Sequence, residues 1–238
     1  MTQTARFLTA EWKNLLMLNY AVDKALLAPF VPAGTELDTF TGKTYLSLVG
    51  FEFNRSRLFG FPMPFYQAFE EVNLRFYVRR ASKRGVVFIR ELVPKRAVAV
   101  LARLAFNENY SRVPMSHRVE TGADGGVVRA EYSWRSGPDE CAVWIETEGP
   151  SFLPSDDSVS QFINEHYWGY AAQRDGGCLE YEVQHPRWRV WNAKRAGFSG
   201  NAAKLYSAGF AQVLNGAPDS AFLAEGSPVT VFKGTRLS

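Results

Sequence analysis

The sequence predicts an α+β fold in which a strand-dominated sheet carries two or three helices. Three observations lead to this fold class. Segments rich in β-branched and aromatic residues recur along the chain and outnumber the helical ones. Residues 70–80, EEVNLRFYVRR, alternate between two faces as a half-buried strand does. Residues 97–105 instead repeat their apolar side chains at helical spacing, after a proline that suits the first turn of a helix.

Length and composition indicate one globular domain over residues 1–238. Of the 238 residues, 46% are hydrophobic and 21% are charged, as is ordinary for a protein that buries a core. The sequence contains neither an internal repeat nor a linker rich in Pro, Gly or Ser. Aromatic residues make up 14% of the chain, and such side chains line ligand cavities as well as cores.

Charge, cysteines and the N-terminal segment bear on partners and compartment. The net charge is only +3, and no block of Lys and Arg would follow phosphates, so we expect no nucleic-acid partner. Cys141 and Cys178 form neither a CxxC pair nor a disulfide framework, and we expect reduced thiols. Charges interrupt the apolar residues of the first 20 positions, which therefore resemble neither a signal peptide nor a membrane span. We expect a cytoplasmic protein with no membrane partner.

The N-terminal third is predicted to contain a short helix and a strand. Asp23 can cap a helix that runs through Ala28, because its carboxylate can accept the free amide hydrogens of the first turn. Pro29 closes this helix, and Gly34 follows in a turn. Residues 44–53, TYLSLVGFEF, are predicted as a strand because β-branched and aromatic types dominate them.

An apolar loop and a hairpin follow. The loop LFGFPMPF, residues 58–65, either packs as a lid on the core or forms the rim of a ligand site, and Tyr66 to Phe69 lead from it to the next strand. Residues 70–80 and 85–93 are predicted to pair as a hairpin, because their connection is short and ends in Gly. The next helix is predicted to extend from Pro94 to about Asn107, crossing or plugging the sheet.

The remaining elements are predicted from similar signals. Asp156 to Ser158 suit the start of a second helix, SVSQFINEHYWGYAA, because acidic residues are favourable at a helix N-terminus. Residues 179–193 alternate as one long strand that Pro186 limits to a sheet edge or a break. Further strands are predicted at residues 116–120, 127–134, 140–146 and 227–234, with a helix near residues 202–214.

One strand face carries an unusual set of polar side chains, namely Glu71, Asn73, Arg75 and Tyr77. In a curved sheet or closed barrel this face would line the interior. Arg75 could then hold a carboxylate with two hydrogen bonds, while Glu71 acts as a base. The alternative is that the four side chains form an exposed, solvated ladder.

The histidines and the predicted second helix offer further candidates. His117, His166 and His185 lack the spacing of a known zinc motif, so we predict no metal site. Tyr167 and Tyr170 lie three residues apart, and His166 and Tyr170 four apart, so each pair would share a helix face. One of these groups could reach a pocket as a general acid or base; equally, the aromatic rings could only pack on the sheet.

Nucleotide and serine-nucleophile motifs are missing from the sequence. The segment GFSGN at residues 197–201 has neither the lysine nor the preceding strand of a phosphate-binding loop. Ser199 within it does not lie in a GxSxG elbow. We therefore predict no nucleotide cofactor, and no other cofactor is indicated.

Four segments follow one another along the chain: the strands EEVNLRFYVRR and GVVFIRELV, then the helices AVAVLARLAFNENY and SQFINEHYWGY. Taken in this order, they resemble the YqjF-like family of uncharacterised bacterial proteins. The N-terminal segment FLTAEWKNLLMLNY fits the family too, and the likeness runs from about Phe7 to Lys233. That family resembles a distant branch of the acetoacetate decarboxylase-like fold, whose strands form a cone around a small-molecule cavity. The resemblance implies a curved, antiparallel-rich sheet forming a cone or partial barrel, with the Glu71 to Tyr77 face turned inward.

The resemblance does not extend to the decarboxylation reaction. Decarboxylases of that fold use a Schiff-base lysine whose pKa a second lysine lowers. The matching stretch here is FNENYS, which places Tyr110 and Ser111 where the two lysines would fall. Lys95 lies before the helix rather than after it, so we do not expect Schiff-base chemistry.

Our leading functional hypothesis is a pocket that binds a small carboxylate- or carbonyl-bearing metabolite and performs metal-independent acid/base chemistry on it. The catalytic candidates are Glu71, Tyr110 and His166. The ligand-binding candidates are Asn73, Arg75, Tyr77, Arg103 and Tyr170.

Two other function classes stay open. A non-catalytic binding or sensing module would use the same pocket without proton transfer. An interaction protein would instead present the aromatic residues near Gly60 to Phe65, or Trp188 to Trp191, to a partner. The sequence leaves a homo-oligomer open as well.

Overall fold

The computed structural model describes residues 5–63, 67–123 and 125–237, and within them 15 strands form one mixed sheet. The strands are β1 (Arg6–Val22), β2 (Glu36–Leu37), β3 (Thr44–Leu58), β4 (Phe61–Pro62), β5 (Phe69–Arg80), β6 (Lys83–Val93), β7 (Tyr110–Arg112), β8 (Met115–Thr121), β9 (Val127–Ser136), β10 (Asp139–Phe152), β11 (Trp168–Ala172), β12 (Cys178–Gln184), β13 (Val190–Ser199), β14 (Ser220–Phe232) and β15 (Thr235–Arg236). The α-helices are α1 (Lys24–Leu27), α2 (Arg96–Phe106), α3 (Val159–Asn164) and α4 (Ala208–Leu214), with single 3-10 turns at Ala28–Phe30 and Ala202–Lys204. Among the described residues, no helix is long and apolar enough to cross a membrane.

Seven of the strands close into a ring. Their order is β12-β11-β6-β5-β3-β1-β14, and β14 pairs back onto β12 through Val183 with Val231 and Gln184 with Thr230. Beyond β14 the sheet continues as a second arm, β13-β10-β9-β8. The prediction of a curved, antiparallel-rich sheet forming a cone or partial barrel is thereby confirmed. The described residues form four α-helices, where two or three were predicted.

The ring separates two apolar cores. On the outer face of β5, Val72 and Phe76 pack with Tyr132 and Trp134 of the second arm. On the inner face, Tyr77 joins a second cluster with residues of β1, β3 and β6. Because successive side chains of a strand point to opposite faces, Glu71, Asn73 and Arg75 lie on the inner side together with Tyr77. Because apolar side chains are buried on both of its faces, the ring is well shielded from water.

The elements next to the site agree with their sequence signals. Strands β5 and β6 form the predicted hairpin, joined by only Ala81 and Ser82. Helix α2 ends at Asn107, which adopts the left-handed conformation (φ 59°) that commonly terminates a helix. That turn directs the chain back along β6, so that Tyr110 of β7 pairs with Glu91. Asn73, Glu91 and Tyr110 thus lie in one row across three strands.

The predicted second helix is wrong over its C-terminal half. Ser158 caps α3 as expected, accepting from the Gln161 amide at 3.1 Å, but the helix ends at Asn164 and residues 168–172 form strand β11. This strand lies between β6 and β12, where the Tyr181 ring packs directly over Gly169. Tertiary pairing of a Trp- and Tyr-rich segment therefore overrides its apparent helical spacing.

Two other segments differ from expectation. The N-terminal segment, to which the sequence pattern assigns no strand, forms the 17-residue strand β1. The predicted long strand at residues 179–193 is two strands, β12 and β13, separated around Pro186 as its missing amide hydrogen requires.

Gly226 allows β14 to pass close to β1. Its φ is +85°, and a Cβ there would lie 2.1 Å from the Trp12 carbonyl oxygen. We expect Gly226→Ala to lower the free energy of unfolding by about 2–4 kcal/mol, because it combines a steric clash with backbone strain. Gly125→Ala is the matched control, since Gly125 has φ +79° and, its chain neighbours aside, no atom of the described residues lies within 4 Å of its Cβ position. The free energy of unfolding is measured in urea. Equal decreases for both variants would contradict the role assigned to the close approach of Gly226 to Trp12.

Candidate functional site

A cavity of about 120 Å³ lies within the ring, roughly enough for several water molecules or one small organic molecule. We call it the central cavity. Strands β1, β3, β5, β6 and β12 and helices α2 and α3 contribute to its wall. Its polar side chains are Glu71, Asn73, Arg75, Glu91, Glu108, Tyr110, Asn164, His166, Tyr181 and His185. Its aromatic side chains include Trp12, Phe51, Phe53, Phe69, Phe88 and Trp188.

The aromatic side chains make much of the cavity wall apolar. The Trp12 ring meets Phe51 edge-on at 5.2 Å between centroids, and Trp188 stacks on His185 at 4.0 Å. Trp188 is 4% exposed, so it is not part of the exposed aromatic surface that an interaction protein would need. Charges facing such a wall interact more strongly than in water.

Glu71 projects from β5 into the central cavity with both carboxylate oxygens hydrogen-bonded. Asn73 donates its amide to one oxygen at 3.0 Å, and the Tyr110 hydroxyl donates to the other at 3.2 Å. Burial raises the pKa of Glu71 to about 7, although these two donors and Arg75 oppose the rise. A carboxyl group with this pKa can both accept and return a proton near neutral pH.

Two further carboxyl groups lie close to Glu71. Burial raises the pKa of Glu91 well above its ordinary value, and the neighbouring Glu108 and Glu71 carboxylates add to the rise. Burial likewise raises the pKa of Glu108 to about 8, although the Tyr181 hydroxyl donates a hydrogen bond to it. We call Glu71, Glu91 and Glu108 the carboxyl cluster.

Arg75 is the one Lys or Arg among the described residues that line the central cavity. Its guanidinium lies 3.7 Å from the Met17 sulfur and 5.7 Å from the centroid of the Tyr77 ring. Neither contact satisfies its planar set of donors, and its buried Nε has no hydrogen-bond partner among the described residues. The guanidinium therefore remains available to an anionic or carbonyl oxygen.

His166 lines the cavity near Arg75, and a hydrogen bond with Asp38 orients its ring. Its Nε2 lies 3.2 Å from Asp38, which also accepts from Arg84 at 2.7 Å. Burial opposes ionisation of Asp38, but the hydrogen bonds from His166 and Arg84 keep its pKa below the ordinary value. Burial lowers the pKa of His166 to about 4, so the ring is neutral at pH 7. Because ionised Asp38 accepts from Nε2, Nδ1 is left as a lone-pair acceptor.

Several polar atoms of the cavity wall are buried without a hydrogen-bond partner among the described residues. They are Trp12 Nε1, Asn73 Oδ1, Arg75 Nε, Glu91 Oε2, both side-chain atoms of Asn164, and His166 Nδ1. Buried polar atoms in folded proteins are nearly always paired, because leaving one unpaired costs about 1–3 kcal/mol. These atoms face one cavity, where water molecules or a polar ligand would supply the missing partners.

The structure brings five of the predicted site residues together in the cavity wall. They are Glu71, Asn73, Arg75, Tyr110 and His166.

The other three predicted residues lie outside the cavity wall. Tyr77 packs behind His166 and donates to Ser47 at 2.6 Å. Arg103 is used structurally, donating to the Tyr110 carbonyl at 2.8 Å. Tyr170 lies in a strand rather than a helix and donates to Glu180 at 3.0 Å.

Sequence reasoning missed Glu91, Glu108, Asn164, Tyr181 and His185 as cavity residues. Glu91 could not be assigned to the cavity from the hairpin alone, because the pairing of Arg80 with Lys83, continued without a shift, would place Arg90 rather than Glu91 opposite Asn73. The register, however, shifts at a bulge between Leu74 and Arg75, which no sequence pattern indicates.

Only part of the apolar loop at residues 58–65 contacts the central cavity. Met63 lines the central cavity, while Phe61 is 76% exposed. The predicted lead-in at Tyr66, like Phe65, lies outside the described residues.

The raised pKa of Glu91 predicts a pH-dependent cost to stability. Its pKa in the folded state exceeds the ordinary 4.5, so above pH 4.5 the unfolded state loses a proton that the folded state keeps. Raising the pH through this window lowers the free energy of unfolding. We expect Glu91→Gln to raise the free energy of unfolding by about 1–2 kcal/mol at pH 8, which corresponds to about 3–6 °C in Tm. At pH 5 the increase should be much smaller. Melting curves at the two pH values test this, and a pH-independent gain would contradict it.

Comparison with known proteins gives one family and one fold. A model of the family DUF2071, described as "Uncharacterized conserved protein", matches residues 9–228. The chain is 29% identical over 188 residues to "Uncharacterized protein YqjF" of Bacillus subtilis (strain 168), covering 77% of this chain and 74% of that protein.

Among solved structures, acetoacetate decarboxylase from Legionella pneumophila superposes with a TM-score of 0.72 at 10% identity, covering 98% of this chain and 88% of that one. The enduracididine biosynthesis enzyme MppR complexed with pyruvate superposes with a TM-score of 0.67 at 12% identity, covering 100% and 92%. At such identities the likeness establishes the fold alone.

Proposed function

The chain belongs to the DUF2071 family and has the acetoacetate decarboxylase-like fold, and from this premise we propose that it binds a small carboxylate- or carbonyl-bearing metabolite and exchanges a proton with it through Glu71. The observation that carries the proposal is the position of Glu71, buried in the central cavity with a pKa of about 7 and near the one guanidinium of the described wall. Groups with such perturbed pKa values concentrate at catalytic sites.

In the proposed reaction Arg75 holds the oxygen atoms of the ligand and thereby fixes the carbon that reacts. Ionised Glu71 takes a proton from the carbon next to the carbonyl group; the C–H electron pair forms the new C=C bond as the C=O π pair moves onto the oxygen, which gives an enolate. Return of the proton to another carbon completes an isomerisation, whereas its replacement on Glu71 by a solvent proton, which is then returned to the same carbon, completes an exchange. Asn73 and Tyr110 orient the carboxylate throughout.

The side chains of the wall do not fit the chemistry of the fold's decarboxylases. No described residue of the wall is a lysine, so the wall offers no amine for a Schiff base. Tyr110, at the position where the family resemblance implies a lysine, is a hydrogen-bond donor to Glu71 instead. Burial, together with the neighbouring carboxylates, raises the pKa of Tyr110 well above its ordinary value. This hydroxyl therefore stays protonated.

The second candidate function is a non-catalytic binding module that uses the same cavity. It is favoured by the two hydrogen bonds that Glu71 already accepts, because they suit a group that fixes a ligand as well as one that reacts. Proton exchange on a bound ligand separates the two functions.

A thermal-shift screen tests whether the cavity binds such ligands at all. Pyruvate, acetoacetate, levulinate and their reduced hydroxy acids serve as probes at 10 mM or roughly that concentration. We expect at least the oxo acids to raise the Tm, because a ligand that binds only the folded state stabilises it by mass action. An unchanged Tm with every probe would contradict the proposed ligand class.

A further inference from the structure

We propose that the ligand of the central cavity is an amino acid or amino-carbonyl compound whose cationic amine binds between Glu91, Glu108 and Asn73. This inference rests on the proposed function, since it names a second group on the same ligand, opposite the end that Arg75 holds. We call these three residues the amine subsite.

The first support is the charge balance of the wall. Three carboxyl groups of the carboxyl cluster face a single guanidinium among the described lining residues. Buried carboxyl groups in this arrangement resist ionisation until a cation approaches. An ammonium group supplies that cation, whereas a second carboxylate on the ligand would add to the repulsion.

The second support is independent of charge and lies in the unpartnered acceptors. Asn73 Oδ1 and Glu91 Oε2 are buried without a hydrogen-bond partner among the described residues, and both side chains are 1% exposed. Asn73 Oδ1 requires a donor in either state of the cluster, and Glu91 Oε2 requires one once Glu91 is ionised. An ammonium group has three donors and no acceptor, while a carboxylate has only acceptors. The unpartnered atoms at this end of the cavity therefore fit an amine.

The third support is the register of the hairpin. Asn73 and Glu91 are directly opposite each other on β5 and β6, so their Cβ atoms are about 5 Å apart and one nitrogen can reach both side chains. Glu108 completes the set from the turn after α2, held by the Tyr181 hydroxyl.

Arg75 lies two residues further along β5, about 7 Å from Asn73 along the strand. This separation suits a short ligand that carries a carboxylate or carbonyl group at one end and an amine at the other. A metal ion fits the subsite less well, since no group of three or more His, Cys, Asp and Glu in the described chain is arranged to hold one.

Matched pairs of acids test the proposal. We would measure binding of 3-aminopropanoate, 4-aminobutanoate and 5-aminopentanoate by titration calorimetry, each beside the acid that lacks the amine. We expect at least one amino acid to bind 10-fold or more tightly than its partner, with release of protons, because the ammonium ionises a protonated carboxyl group. Proton release appears as a binding enthalpy that depends on the ionisation enthalpy of the buffer.

Variants assign the effect to the subsite. Glu91→Gln should remove the preference for the amino acid over the plain acid. Glu148→Gln, an exposed carboxylate on β10, should change neither affinity.

The possible failures can be told apart. If the plain acids bind as tightly as their amino partners, or if the preference survives in Glu91→Gln, the amine subsite is wrong while the proposed function stands. If neither set of acids nor any oxo acid binds, both fail.

Discussion

Replacing Glu71 with glutamine is expected to slow proton exchange on a bound oxo acid by 10²–10⁴-fold, the range typical of losing a general base. Glutamine keeps the size of the side chain and an oxygen that can accept from Asn73 or Tyr110, but it cannot accept a proton from carbon. The exchange is measured by proton NMR in D2O, as loss of the signals from carbons adjacent to the carbonyl group of an acid that the wild type binds.

The pH profile adds a second readout to this prediction. Because the base must be ionised and the pKa of Glu71 is raised to about 7, wild-type exchange should increase as the pH rises through 7. Glu148→Gln is the control and should exchange at the wild-type rate. Exchange retained within threefold in Glu71→Gln would show that Glu71 is not the base, and exchange absent from the wild type would favour the binding module.

Replacing Arg75 with alanine should weaken binding of carboxylate ligands by about 30-fold or more. Removing one partner of a buried, charge-assisted hydrogen bond typically costs about 2–5 kcal/mol in binding. The free protein should remain folded, since the Arg75 guanidinium makes no salt bridge among the described residues and its contacts are to Met17 and Tyr77.

Arg79→Ala provides the matched control for Arg75. Arg79 lies on the same strand, is half-exposed and pairs with Glu36 at 3.0 Å outside the cavity. Ligand affinity measured by calorimetry should be unchanged in this variant. A collapse of the Tm in Arg75→Ala would instead mean that the arginine is structural, and an unchanged affinity would mean that the ligand is held elsewhere.

The alternation of β5 was the sequence signal that found the site. It placed Glu71, Asn73 and Arg75 on one face, and that face proved to be the inner one because the apolar residues opposite it pack against the second arm of the sheet. The hairpin followed from its short connection, and helix α2 from the helical spacing of its apolar residues. The predicted start at Pro94 was two residues early, because Lys95 is the N-cap and the helix begins at Arg96. The family and the fold, suggested by residues along nearly the whole chain, are both confirmed.

The rest of the site depends on contacts between distant parts of the chain. Ring closure rests on Val183 pairing with Val231, and His166 meets Asp38 across 128 residues. Neither contact leaves a periodic pattern in the sequence. Glu108 enters the cavity because Asn107 turns the chain in a left-handed conformation, which an asparagine permits but does not dictate.

The most direct test of the central claim is a carbon-13 NMR titration of the glutamate carboxyl groups. The resonance of Glu71 is assigned by its disappearance in Glu71→Gln. We expect this resonance to titrate at a pH of about 7, because the cavity buries the carboxyl group with only partial compensation from Asn73, Tyr110 and Arg75. A midpoint near the ordinary 4.5 would contradict the account, since Glu71 would then be an ordinary ionised carboxylate rather than a base poised to exchange a proton near neutral pH.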